Sequence, residues 1–315
     1  MNYLTAGESH SKYIMAILNG FPQGLKIDEE YISKNLKKRR ELPGRSKRQE
    51  VEKDEFEIIS GLSNGKTTGM PIGIIIKNNK NERYPNNFIP LHGERYGAIK
   101  YLNKDYASYR ERLSQRETAA RVSIFSFPRK MLEELGIKIH SGVTSCYGEK
   151  KAREFKKIIE RFKIEGDSFG GVFEVRIKNL VPGIGGFAQG LDRLQSKLSN
   201  MLFSIGSIKG VEFGAGFNIE RYTTTQILKK PQLLGGIEGG VSRGDDIVIR
   251  CVTRPLAAAR RISTESTSDI TSVFTAAFIS EFLVAYVIAD EIISKFGSDV
   301  FDEIKDAYKR YLKRI

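Results

Sequence analysis

Three histidines, two arginines and one dense polar stretch carry most of the chemistry open to this chain. His10 lies in Gly7-Glu-Ser-His10 and His92 in Pro90-Leu-His-Gly-Glu94. Both stand beside glycines in loops or at strand ends, where a scaffold places functional side chains more often than in element interiors. His140, inside the apparent strand IKIHSGV, reads as structural. The polar stretch runs from Asp105 to Val122, and its core, Arg112-Leu-Ser114-Gln-Arg116-Glu117-Thr118, leads directly into Ala119, Ala120, Val122, Ile124 and Phe125. A helix starting there would offer backbone N–H groups and positive partial charge to an anion, with Arg112 and Ser114 as side-chain donors. Ser114 with Glu117 also fits a capping box on a surface helix, so the spacing alone leaves both readings open. Two loop histidines near an arginine cluster would suit proton delivery to an anionic leaving group.

The elements that must hold these groups alternate between strand and helix patterns without a linker, over 315 residues that are 40% hydrophobic. YIMAIL (Tyr13 to Leu18) predicts a strand turned by Asn19-Gly20. Asp28 predicts the cap of a helix carrying Tyr31, Ile32 and Leu36, which closes on the basic run Lys37 to Arg40. A polar loop with Gly44, Arg45 and Arg48 follows, then strands at Phe56 to Ile59 and Ile72 to Lys77, then a long loop from Asn78 to Gly93. Beyond the polar stretch, a helix interrupted by Pro128 should stop at Gly136, and Lys150 to Lys163 should form an exposed basic helix. VFEVRIK (Val172 to Lys178) alternates as a half-buried strand does, and Leu191, Leu194, Leu198 and Met201 suggest one apolar helical stripe. Ile247, Ile249 and Cys251 mark another strand.

Composition narrows the function classes. Lys and Arg number 51 against 38 Asp and Glu, a net charge of +13, which favours anionic partners. The basic run Lys37 to Arg48 has no interleaved aromatics, so nucleic acid is not the expected partner. Cys146 and Cys251 lie far apart and outside metal-ligand spacing, which excludes a zinc site or disulfide framework as the organising feature and points to a reducing, cytoplasmic setting. No basic region followed by an apolar signal core opens the sequence. Ser272 to Ala289 approaches the ~20 residues of a membrane span, but Glu281 sits at its centre, so a buried core or subunit-interface helix is expected rather than a membrane segment. No GxGxxG links a strand to a helix, which argues against a Rossmann unit.

Several separated pieces together resemble chorismate synthase. Gly7-Glu-Ser-His10 is similar to that family's first signature, and Asn19-Gly20-Phe-Pro22 falls in its usual place. Arg39 and Arg45 keep the spacing of its two substrate-side arginines. His92 stands nine residues before Tyr101, as the family histidine does in its GHAD...KY segment. Arg112, Ser114 and Arg116-Glu-Thr118 match the second signature. Gly166-Asp-Ser168, Ser204-Ile, Lys209 to Phe213 and Gly235 to Gly240 continue the series, and Asp269 with Glu281 match the third. The resemblance covers Gly7 to about Asp290 in one collinear order.

The resemblance implies an α+β fold of the β-α-β sandwich kind, with long helices between antiparallel sheets, as a single domain over residues 1 to 315 and as a homotetramer. It implies 1,4-anti elimination of phosphate and a ring proton from 5-enolpyruvylshikimate 3-phosphate to give chorismate. Reduced FMN is required without net redox change, with NADP associated with the flavin. By family roles His10 would protonate the departing phosphate, His92 would protonate the flavin, and Asp269 would help the flavin's nitrogen 5 take the ring proton. Arg39, Arg45 and Ser9 would bind a small anionic substrate. Arg112, Ser114, Gly206, Ser207, Gly239 and Arg254 would line the cofactor.

Other family positions are changed. GRHDP becomes Ser266-Thr267-Ser268-Asp269-Ile270, KPTSS becomes Arg254-Pro-Leu256-Ala257-Ala258, NHAGG opens as Gln232-Leu-Leu-Gly-Gly236, and Ala107 and Ser11 replace an arginine and a glycine. Each lost hydrogen bond to a charged group costs on the order of 1.5–3 kcal/mol. Two expectations follow: a divergent chorismate synthase, or a paralogue with altered flavin binding that takes another anionic ligand.

Overall fold

The computed structural model describes residues 1–45, 53–78, 92–257 and 269–315, so most of the 78–93 loop, Arg48, Ala258 and Thr267 lie outside the described residues. The chain forms two compact units and passes repeatedly between them. The first comprises Met1–Ser126, Lys156–Phe169 and Pro255–Ser272, and the second Phe127–Phe155, Gly170–Arg254 and Val273–Ile315.

The first unit is built on a four-stranded antiparallel sheet of β1 (Asn2–Ala6), β2 (Tyr13–Asn19), β3 (Phe56–Ser60) and β4 (Ile72–Lys77), in the order β1-β2-β4-β3. The expected strand over Tyr13 to Leu18 is there, and its alternation sets the register. Ile14, Ala16 and Leu18 are buried while Tyr13, Met15 and Ile17 are exposed, and Ala16 lies opposite Ile74. A one-residue slip would turn the buried set outward.

Helix α1 (Glu29–Arg40) begins where expected, because the Asp28 side chain accepts the Tyr31 N–H and an acidic first turn precedes a basic last one. Its buried face holds Ile32, Leu36 and also Arg39, so the basic end is not simply a solvated helix end. Two short helices, α2 (Glu94–Lys100) and α3 (Tyr106–Leu113), lead into α4 (Thr118–Glu134). Pro128 does not interrupt α4. It removes one backbone donor at a cost of about 3 kcal/mol, but Phe125, Phe127, Met131 and Leu132 are fully buried around it and hold the helix together. Helix α5 (Phe155–Glu165) is amphipathic rather than wholly exposed: Phe162 is buried against Phe169, ring centroids 4.9 Å apart.

The second unit has its own antiparallel sheet of β5 (Lys138–Cys146), β6 (Gly171–Lys178), β7 (Ile208–Phe213) and β8 (Ile247–Thr253), in the order β5-β6-β8-β7. Phe173, Val175 and Ile177 of β6 and Ile247, Ile249 and Cys251 of β8 face the core, as their alternation predicts. The apolar stripe of α6 (Leu194–Phe203) is Leu194, Leu198 and Leu202. Leu191 is exposed because it belongs to a preceding 3₁₀ turn rather than the helix, which shifts the stripe off Met201. A short α7 (Thr224–Lys229) follows, then α8 (Val273–Phe296) and α9 (Phe301–Leu312).

Helix α8 is the one described helix long and apolar enough to cross a membrane, yet its side chains are almost all buried within the structure. Glu281 at its centre is neutralised by Arg129 Nη2 at 2.9 Å, and it accepts hydrogen bonds from Ser141 N at 2.9 Å and Ser141 Oγ at 2.7 Å. The expected α+β class therefore holds, with antiparallel sheets and packed helices in both units.

Candidate active site

The site residues of the first unit begin at the turn between β1 and β2. Gly7 adopts φ +96°, and a Cβ there would lie 2.5 Å from the Tyr13 carbonyl oxygen, so only glycine fits. Ser11 closes the turn, its Oγ lying 2.9 Å from Glu8 O and 2.6 Å from Tyr13 O. The serine that replaces a family glycine is thus part of the turn itself. Ser9 and His10 are buried here.

Helix α3 supplies their partner. Asp105 caps it by accepting the Ser108 N–H, and Ala107 and Glu111, one turn apart, share its buried face. The Glu111 carboxylate accepts Ser9 Oγ at 2.6 Å and His10 N at 2.9 Å, and His10 Nδ1 lies 3.0 Å from both of its oxygens. Burial opposes the Glu111 charge, but the hydrogen bonds from His10 and Ser9 and the imidazole charge outweigh it and hold this carboxyl below its ordinary range.

The neighbouring residue on α3 anchors the second histidine. Arg110 Nη1 donates to Glu94 Oε1 at 2.6 Å, and the other Glu94 oxygen accepts the His92 N–H at 2.6 Å. His92 Nδ1 accepts from Gly93 N at 2.6 Å, which leaves Nε2 as the protonated nitrogen of the neutral ring. Consecutive residues of α3 therefore hold the turns that carry His92 and His10.

The arginines converge on Asp54. Its carboxylate binds Arg39 Nη2 at 3.0 Å, Arg40 Nε at 3.6 Å and Arg116 Nη1. Burial weighs against the Asp54 charge, but Arg39 and Arg116 overcome it and lower its pKa. Arg39 is fully buried, and burial, with Arg45 and Arg116 nearby, pulls its pKa down to about 10 against the attraction of Asp54. Arg45 pairs with Asp269 at 3.3 Å. Their approach depends on Gly44, at φ +80°, where a Cβ would lie 2.6 Å from Thr271 Cγ2, and whose carbonyl accepts the Ile270 N–H at 2.7 Å. Among the described residues, four guanidinium groups thus pair with two carboxylates. Asn78 joins this cluster to the histidine turn: its Oδ1 accepts Arg116 Nε at 2.8 Å, and its Nδ2 donates to Glu8 O at 3.1 Å and Ser11 O at 2.7 Å.

Arg112 and Ser114 occupy different roles from a free anion cradle. Arg112 donates to Thr5 Oγ1 at 2.8 Å, Thr5 O at 3.3 Å and Gly7 O at 3.2 Å, bracing the end of β1. Ser114 ends α3 and caps a 3₁₀ turn by accepting Arg116 N at 3.3 Å. The capping box with Glu117 does not form, because Glu117 instead accepts from Thr5 Oγ1 and Arg121 Nε, both at 2.8 Å. His140 is exposed on β5.

Gly206, Ser207, Gly239 and Arg254 belong to the second unit. Arg254 N donates to Ser207 O at 2.9 Å, so the two lie side by side. Ser207 is buried, yet its Oγ has no hydrogen-bond partner among the described residues. A Cβ at Gly206 or at Gly239 would meet nothing within 4 Å. An orphaned hydroxyl beside an arginine, with open space at a neighbouring glycine, fits the anionic group of a cofactor such as FMN. Leu256 and Ala257 are half-buried, and the Leu256 carbonyl accepts Ser168 Oγ at 3.1 Å.

The structure brings Ser9, His10, Arg39, Arg45 and Asp269 into one network with three residues that the sequence did not single out, namely Glu111, Asp54 and Asn78.

The chain matches the chorismate synthase family over residues 1–293. It is 39% identical to the chorismate synthase of Caldanaerobacter subterraneus subsp. tengcongensis, over 99% of this chain and 98% of that one. The corresponding protein of Aquifex aeolicus is 33% identical over 100% and 98% of the two chains. A solved structure described as the crystal structure of chorismate synthase superposes with a TM-score of 0.83 at 32% identity, covering 100% of this chain and 98% of that one. With its fold, its length and its order of motifs in agreement, the chain belongs to the chorismate synthase family.

Proposed function

We propose that this carbon–oxygen lyase converts 5-enolpyruvylshikimate 3-phosphate to chorismate by 1,4-anti elimination of phosphate and a ring proton, through the network described in the first unit. The observation that carries this reading is the link through Asn78 between the His10 turn and the arginine cluster around Asp54. An anionic leaving group needs positive charge to hold it and a proton to release it, and these lie in one network. In this reading Arg39 and Arg45 attract the substrate's anionic groups, Ser9 orients the turn, and His10 delivers a proton to the departing phosphate oxygen. Asp269, paired with Arg45, is the base positioned for the ring proton. His92 holds a proton at Nε2 for the cofactor side.

Reduced FMN, when bound, supplies the reducing character that the elimination requires and does not consume. Ser207, Arg254, Gly206 and Gly239 would hold it, with NADP associated with keeping it reduced. The protein would act in the cytoplasm as a homotetramer, the whole chain serving as one catalytic domain. The paralogue reading is not favoured, since the relatives that match over 98–100% of the chain are chorismate synthases.

The test is an anaerobic assay with chemically reduced FMN and 5-enolpyruvylshikimate 3-phosphate, following phosphate and chorismate together. Both should rise in step in the wild type, and His10→Ala and Asp269→Ala should each lower turnover by roughly 100-fold or more. Near-normal turnover in either variant would remove that residue from its role.

A further inference from the structure

We infer that Glu111 is a positioning residue for His10, fixing the ring so that Nε2 is the nitrogen presented to the anionic substrate. This rests on the proposed role of His10 as proton donor, and it deepens that role by naming what aims the ring. Glu111 and His10 come from separate elements 101 residues apart, and both are buried where they meet. Three donors converge on the carboxylate: Ser9 Oγ, the His10 backbone N–H and His10 Nδ1. An ionised carboxylate is purely an acceptor, so a neutral His10 ring must carry its proton on Nδ1. The backbone N–H bond fixes the carboxylate relative to the residue whose ring it holds, and Ser9 prevents it from rotating away.

The consequence for the reaction is a definite proton path. The imidazolium gives the Nε2 proton to the leaving phosphate oxygen as that oxygen takes the electron pair of the breaking C–O bond. The ring is left as the neutral Nδ1–H tautomer that Glu111 already stabilises, so no ring flip or proton relocation accompanies the step. Ala107 lies on the same buried face of α3 one turn earlier.

The experiment is nitrogen NMR of histidine-labelled protein without flavin, paired with kinetics of the loaded enzyme. The chain has only three histidines, so the His10 resonances are identified by their loss in His10→Ala. In the wild type the neutral His10 ring should be the Nδ1–H tautomer. In Glu111→Ala it should shift toward Nε2–H. Glu111→Gln should shift it the same way, since its amide nitrogen donates where an acceptor is needed, and its near-identical volume makes it the variant to read should the alanine protein not fold.

For Glu111→Gln, kcat should fall roughly 10- to 100-fold with KM changed less than about twofold, the pattern of a misaimed proton donor rather than a weakened site. An unchanged Nδ1–H tautomer in both variants, or a loss confined to KM, would overturn the assignment. Failure of the underlying reading looks different: His10→Ala would keep releasing phosphate while the tautomer shift in the Glu111 variants persisted.

Discussion

Two buried carboxylates, Glu281 in the second unit and Asp54 in the first, meet arginine in opposite ways. Glu281 faces one guanidinium, Arg129, which also reaches Glu133 at 3.4 Å, and Ser141 donates to the same Glu281 carboxylate, in a helix that is otherwise apolar. Asp54 is shared among Arg39, Arg40 and Arg116, with Arg45 and Asp269 adjoining. One guanidinium divided between carboxylates locks a core. A carboxylate ringed by guanidiniums gathers cations that an anion can meet, and desolvation makes their attraction stronger than the same charges would have in water.

The sharpest way to break the contrast is to remove the shared carboxylate. Asp54→Ala leaves three guanidiniums without their common partner, two of them buried, and should destabilise the first unit by about 3–5 kcal/mol in denaturant unfolding. A loss under about 1 kcal/mol would mean that the arginines find other partners and that Asp54 does not organise them. The Glu281–Arg129 pair gives the complementary test. Glu281→Gln should cost about 1–3 kcal/mol in the same measurement through its effect on Arg129, while leaving the KM for substrate unchanged. A raised KM would place that pair in the site.

The smallest effect is acid sensitivity. Asp54 and Glu111 both have pKa values held below their unfolded values. Stability from each is therefore complete above the unfolded range, about pH 4, and is lost as pH falls through the lower folded pKa. The melting temperature should hold from neutral pH to about pH 4.5 and drop below it, with a shallower drop in Glu111→Gln. Parallel acid profiles for wild type and variant would remove Glu111 from that account.

The sequence made the individual site residues legible but not the network that joins them. His10, Arg39, Arg45 and Asp269 were read from motif spacing, and strands such as Tyr13 to Leu18 and Val172 to Lys178 from strict alternation. Glu111 was hidden between Arg110 and Arg112 in a run of three charged residues, and only the packing of α3 against the His10 turn distinguishes it from its neighbours. Asp54 sits in an acidic run with no periodicity to show that it is the buried one. Arg39 and Lys38 look alike in a basic helix end, yet one is fully buried and the other exposed, because α1 turns 100° between them. Sequence similarity named the family without supplying these contacts.

The most direct measurement is a calorimetric titration of 5-enolpyruvylshikimate 3-phosphate into the wild type, Arg45→Ala and Glu281→Gln, each checked to be folded. The guanidiniums gathered in the first unit predict that Arg45→Ala weakens binding roughly 10- to 100-fold, the loss of about 1.5–3 kcal/mol of charged hydrogen bonding, while Glu281→Gln binds as the wild type does. Equal losses in both variants, or none in Arg45→Ala, would contradict the claim that the arginine cluster is the anion site.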